Sequence, residues 1–168
     1  MSEKEIILEG LKQAMQAEVD GHNFYRMAAD NTKDEMGKEA FIALAKDEVD
    51  HFNFLKAQYK SFEKDGKPNQ SVKLGKPSES GESPMFSASF KERIRDAHYE
   101  MTALSIGVQL ELSAINFYKG EADKVSDETV KRFYIELADW EATHHRRLLK
   151  QQQELQKDYW QDGNFYPF

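Results

Sequence analysis

Cysteine is absent from all 168 residues, which excludes disulfides, zinc fingers, thiol catalysis and iron–sulfur ligation. No apolar run approaches the roughly 20 residues that a membrane-spanning helix needs. The opening Met1-Ser-Glu-Lys-Glu5 has neither the basic nor the apolar region of a secretory signal. Basic residues are in the minority, 23 Lys and Arg against 30 Asp and Glu. The resulting net charge of −7 and pI near 5.3 lack the positive footprint of a nucleic-acid binder. The expectation is a soluble, cytoplasmic protein with no nucleic acid and no membrane as partner. At 19.5 kDa it should form a single domain with a sizeable core.

What the chain does contain is one pattern written twice, 93 residues apart. Glu18, Tyr25, Glu48 and His51 match Glu111, Tyr118, Glu141 and His144. The surrounding text agrees, with Glu18-Val-Asp-Gly-His-Asn-Phe-Tyr25 set against Glu111-Leu-Ser-Ala-Ile-Asn-Phe-Tyr118. Each half supplies one lone Glu and one Glu-x-x-His. Together they make four carboxylates and two imidazoles, the ligand set of a two-metal site in a four-helix bundle.

Four segments carry helical periodicity, about residues 3–31, 33–63, 88–120 and 127–157. Leu11, Met15, Glu18, His22 and Tyr25 follow one stripe, and Leu44, Glu48, His51 and Leu55 another. In the second half the stripes run Leu104, Val108, Glu111, Ile115, Tyr118 and Leu137, Glu141, His144, Leu148. The carboxylates thus lie in register with apolar residues and should point inward. Ser2-x-x-Glu5, Thr32-x-x-Glu35 and Ser89-x-x-Glu92 read as capping boxes, and Ser126 with Asp127 and Glu128 opens the last helix. Residues 64–87, rich in Gly, Pro, Ser and Lys, form a long crossover between two hairpins. The fold expected is all-α, an antiparallel four-helix bundle followed by an aromatic tail over 158–168.

Spacing brings the ligands to one level. Glu18 and Glu48 are equidistant from Lys33 in the first turn, and Glu111 and Glu141 from Ser126 in the second. Each lies about 15 residues, roughly 22 Å, from its turn. Four ionised carboxylates in a core would cost several kcal/mol per ion, on the order of the penalty for any buried charge. Two divalent cations cancel that charge. Hard oxygen donors with one imidazole per ion suit iron or manganese.

These residues resemble the ferritin-like superfamily, and the rubrerythrin family within it, across roughly residues 5–157. The resemblance implies a non-haem pair of iron ions, with manganese or a mixed pair as the alternative. It assigns Glu18, Glu48, His51, Glu111, Glu141 and His144 as metal ligands. It places Tyr25 and Tyr118 at the tyrosine position beside such ligands, a catalytic assignment that stands next to the plainer one of core aromatics with a satisfied hydroxyl. Rubrerythrins usually add a rubredoxin-like domain with four cysteines. With no cysteine here, the resemblance implies an external electron donor such as a rubredoxin or flavoprotein. The family also carries an extra Glu three residues after the third-helix ligand, where this chain has Ala114, matched by Gly21 in the first repeat. The set is therefore closer to the symmetric six-residue centres of bacterioferritins, and the small residues leave room for peroxide or dioxygen. Family likeness implies a homodimer, and the crossover is long enough for hairpins to be exchanged between subunits.

The remaining polar aromatics receive plainer readings. His22 has Ile115 as its repeat partner and is read as a neighbour of the ligands or a structural residue. His145 is matched by Phe52, so the repeat favours His144, and His98 lies too far along its helix. Trp140 reads as packing. Three functions fit: a di-iron oxidoreductase reducing hydrogen peroxide or dioxygen, a ferroxidase handling iron, or a non-catalytic metal-binding bundle.

Overall fold

The computed structural model describes residues 1–162, and among them there are helices and no strands. Helix α1 spans Glu3–Asn31 and α2 spans Glu35–Asp65. A short α3 (Ala88–Lys91) and a 3-10 turn (Ile94–Asp96) precede α4 (His98–Asp123) and α5 (Glu128–Asp162). α1 packs along α2 and α4 along α5, and the two hairpins form the four-helix bundle.

The ends of the helices follow local hydrogen-bond chemistry, not always as expected. Ser2 and Glu5 form the reciprocal capping box. The box at Thr32 does not form. Thr32 instead closes α1, its hydroxyl donating to the Ala28 carbonyl at 2.7 Å, and Asp34 caps α2 by accepting from the Gly37 amide at 3.0 Å. Asp127 opens α5 by accepting from the amides of Thr129 and Val130 at 2.9 and 3.1 Å. Gly66 ends α2 at φ 66°, the left-handed region that glycine enters without steric cost.

Two boundaries are corrected. The helix expected over 88–120 is broken before His98, and Ser89 caps nothing because Ser87 stands at the N-cap. Phe90, Ile94 and Ala97 are all buried, so the apolar stripe is real. The backbone, however, runs through successive i→i+3 bonds from Ser87 to Ala97, and a stripe at this spacing fits such turns as well as an α-helix. At the other end α5 continues to Asp162, so 158–162 is helix and not tail; Tyr159 packs against the core. The rest of the expected tail, 163–168, lies outside the described residues.

The crossover lies across α2 and α5. Arg147 donates to the carbonyls of Ser83 and Pro84, Gln151 accepts from the Met85 amide, and Met85 and Phe86 are buried. Phe86 stacks on Phe90 and meets Phe41 edge-on. Asp34 ties the first turn to this strap: besides capping α2 it accepts from the Ser87 amide at 3.0 Å and from the Ser87 hydroxyl. Asp34→Ala should therefore lose more than a simple cap. We expect about 2 kcal/mol of destabilisation, the upper end for a cap because Ser87 also loses its partner. Urea denaturation reads this directly, and a loss below about 0.5 kcal/mol would remove Asp34 from this role.

The core divides into two apolar clusters, one around Phe41, Leu44, Leu104 and Leu148, the other around Leu11, Leu55, Phe62 and Leu137. The layer between them is charged.

Candidate metal centre

Glu18, Glu48, His51, Glu111, Glu141 and His144 meet in that layer, none more than 4% exposed. Each of α1, α2, α4 and α5 contributes, so the duplicated halves converge on a single cluster. His51 Nδ1 lies 2.8 Å from Glu141 Oε1, 3.3 Å from Glu18 Oε2 and 4.0 Å from Glu48 Oε2. His144 Nδ1 lies 3.1 Å from Glu141 Oε2, 3.4 Å from Glu111 Oε1 and 3.5 Å from Glu48 Oε1. Two four-residue sets result, each with its donor atoms within 4.8 Å of one another: Glu18, Glu48, His51, Glu141 and Glu48, Glu111, Glu141, His144. Glu48 and Glu141 belong to both.

The tyrosines reach into this layer from opposite sides and across the hairpins. Tyr25, from the first apolar cluster, donates its hydroxyl to Glu111 Oε1. Tyr118, from the second, donates to Glu18 Oε1. Burial and the adjacent carboxylates, first among them Glu111 for Tyr25 and Glu18 for Tyr118, push both phenols well above their ordinary value. They remain protonated donors at neutral pH.

The buried carboxylates and imidazoles shift one another's affinity for protons. Burial, then repulsion from Glu141 and Glu18, carries Glu48 well above the carboxylate range. Burial and Glu141 raise Glu111 to about 8, against the opposing pull of His144. Burial also disfavours charge on the imidazoles, but Glu141 and Glu18 outweigh it and raise His51 to about 10. Glu111 and the bond to Asp47 likewise carry His144 well above its usual value. Burial would raise Glu141 too, yet the charge on His51 and the hydrogen bond with His144 hold it well below.

The donor set fits a pair of hard divalent cations. Glu48 Oε1 and Glu141 Oε1 are buried without a well-formed hydrogen bond, even though His51 Nδ1 lies 2.8 Å from the latter. Buried carboxylate oxygens of this kind are costly unless protons or cations compensate them. Each Nδ1 is surrounded by three carboxylates, one imidazole per set, and Glu48 and Glu141 are placed to bridge.

One side of the cluster is open and the other is closed. Between α1 and α4 a cavity of about 250 Å³ reaches Glu18, Glu48 and Glu111. Its walls include both small repeat-related residues, Gly21 and Ala114, together with Leu110 and Phe117. A Cβ on Gly21 would stand 3.3 Å from Glu48 Oε2, so the first of these positions has little room for a larger side chain.

The closed side holds residues that the duplicated pattern does not reveal. Asp47 Oδ2 lies 2.8 Å from His144 Nε2, and Asp47 also accepts from the Ser78 amide and hydroxyl in the crossover. Burial would raise this carboxyl, but its bonds with His144 and Ser78 hold it below the usual range. Trp140 meets the His51 ring edge-on, centroids 4.5 Å apart, with its Nε1 3.4 Å from Asp47 Oδ2. It is therefore packing, as read from the sequence, but packing against an imidazole of the cluster. Position 140 is the repeat partner of position 47, so the visible signal was a place where the two halves disagree. His22 faces the Ala45 carbonyl at 3.1 Å and joins neither donor set. His145 is half-buried and His98 exposed, both outside the cluster.

A ferritin-like helical bundle with a buried carboxylate–imidazole cluster able to hold metal is the class that this fold and site define. The rubrerythrin family model matches residues 9–150, and the chain belongs to the rubrerythrin family. Among solved structures it is similar to a hypothetical protein from Pyrococcus furiosus, with 26% identity over 94% of this chain and 92% of that one, and a TM-score of 0.64. No curated protein matches it. Among the described residues no helix is long and apolar enough to cross a membrane.

Proposed function

We propose that the chain is a di-iron oxidoreductase that reduces hydrogen peroxide, or dioxygen, with electrons from an external donor such as a rubredoxin or flavoprotein. The observation that carries this reading is the pair of donor sets sharing Glu48 and Glu141 at the end of a cavity that peroxide can enter. Hydrogen peroxide, two protons and two electrons give two molecules of water. A pair of ferrous ions held by Glu18, Glu48, His51, Glu111, Glu141 and His144 would supply those two electrons, becoming ferric. The apolar cavity walls limit bulk water beside the carboxylates. Tyr25 and Tyr118 anchor Glu111 and Glu18 and keep a phenolic proton at the edge of the cavity.

The test is anaerobic loading with two equivalents of Fe(II), followed by stopped-flow mixing with peroxide. Rapid oxidation that recurs over many cycles with a reductant present supports the proposal. Oxidation in a single stoichiometric round, with iron released or mineralised, supports instead a ferroxidase, the reading favoured by the small residues at Gly21 and Ala114. Inert metal would leave a non-catalytic binding bundle. Tyr25→Phe and Tyr118→Phe should each keep two metals per chain and slow oxidation by about 10²-fold, the lower range for loss of a positioned proton donor. Unchanged rates would reduce both tyrosines to core packing.

A further inference from the structure

The two halves supply matching ligands, but the outer nitrogens of the two imidazoles have unlike surroundings. His144 directs Nδ1 at the carboxylates and Nε2 at Asp47, 2.8 Å away. Asp47 is itself fixed by the Ser78 amide at 3.1 Å and by the Ser78 hydroxyl. His51 also directs Nδ1 inward, but its Nε2 is buried with no hydrogen-bond partner. The residue that repeats Asp47 on that side is Trp140, whose ring stands edge-on to His51. Nδ1 can bind a cation only in the tautomer that keeps hydrogen on Nε2, so His144 then donates to Asp47. The Trp140 N–H, 3.2 Å from that nitrogen, is left to point at Asp47 Oδ2, 3.4 Å away.

We propose that the two metal positions are inequivalent, the one at His144 being the tighter and the first filled, with Asp47 as the positioning residue responsible. A carboxylate behind a ligating imidazole fixes its tautomer and makes it more basic, and loss of such a partner typically lowers metal affinity by about 10- to 100-fold. His51 has no such partner and also strands a buried N–H. Its position is the weak one, the ion there being the more readily lost or exchanged.

This inference rests on the two-metal reading, and the experiment separates the two. Anaerobic titration of the whole chain with Co(II), followed by visible absorption, should give two steps differing at least tenfold in affinity. Crystals grown with one equivalent should show anomalous signal beside His144. Asp47→Asn keeps an acceptor but loses the charge, and should weaken only the tight step by about 10- to 100-fold. Trp140→Asp places a carboxylate at the repeat-related position and should strengthen the weak step, a gain that a purely structural role for Asp47 does not produce. Two indistinguishable sites in the unaltered chain, or equal weakening of both steps by Asp47→Asn, would overturn the inequivalence alone. Absence of any Co(II) uptake would overturn the two-metal reading with it.

Discussion

Alanine in place of Glu141 should empty both metal positions, whereas alanine in place of Glu18 or Glu111 should empty mainly one. Glu141 presents one oxygen to each imidazole, Oε1 at 2.8 Å from His51 Nδ1 and Oε2 at 3.1 Å from His144 Nδ1, and it belongs to both donor sets. Glu48 shares that membership. Glu18 belongs only with His51, and Glu111 only with His144. Metal analysis after loading should find about two ions in the unaltered chain if the two-metal reading holds. Glu141→Ala should retain almost none, and Glu18→Ala and Glu111→Ala about one each, because loss of Glu141 takes a donor from both sets, whereas loss of Glu18 or Glu111 leaves the other set complete. Helicity should persist throughout. The variants remove a carboxylate from a layer already crowded with them, and the apolar clusters on either side are untouched. Full retention of two ions by Glu141→Ala would refute the bridging assignment.

The six clustered residues were legible because they combine two periodicities. Each lies on a helical stripe among apolar residues, and the three of the first half recur 93 positions later as the three of the second. The placement of the hairpin turns then followed from symmetry: equal distances from Lys33 and from Ser126 bring Glu18 level with Glu48, and Glu111 level with Glu141. Features that break the duplication were hidden for the same reason. Asp47 sits beside Glu48 as Trp140 sits beside Glu141, so neither earns notice from the repeat, although together they decide what stands behind each imidazole. Ser78 is a still harder case, since a serine in an irregular crossover carries no pattern and acquires meaning only when the strap crosses α2 at Asp47. Backbone detail was lost where side-chain spacing is ambiguous. Phe90, Ile94 and Ala97 are buried as a helical stripe requires, yet their backbone is a chain of short turns. Thr32 and Asp34 both precede a glutamate or a free amide by the right interval, and only the observed geometry assigns the cap to Asp34.

Loading with divalent metal should stabilise the protein strongly at neutral to mildly alkaline pH and much less in acid. In the metal-free cluster Glu48 and Glu111 are raised, the latter to about 8, and His51 and His144 are raised, the former to about 10. Near pH 7 Glu111 and His51 therefore hold protons, and ions can occupy the cluster only by displacing them. Binding should then release protons, those of Glu111 and His51 among them, so affinity rises with pH as these groups become easier to deprotonate and falls as pH drops. The sign follows from competition: each group's folded pKa is raised, so protons hold it more tightly below that value and the cation must do more work to enter. At 100 times its Kd each ion contributes about 2.7 kcal/mol. For two ions in a chain of this size that amounts to a Tm increase on the order of 10–20 °C. Calorimetric scans with and without Mn(II) at pH 6 and pH 8 should show the larger increase at pH 8. Titration calorimetry in buffers of different ionisation enthalpy should yield binding heats that scale with the buffer. A Tm indifferent to metal would refute cation binding in the core. Heats independent of the buffer would show that the cluster was already deprotonated, and that four buried carboxylates are compensated by something other than protons when the ions are away.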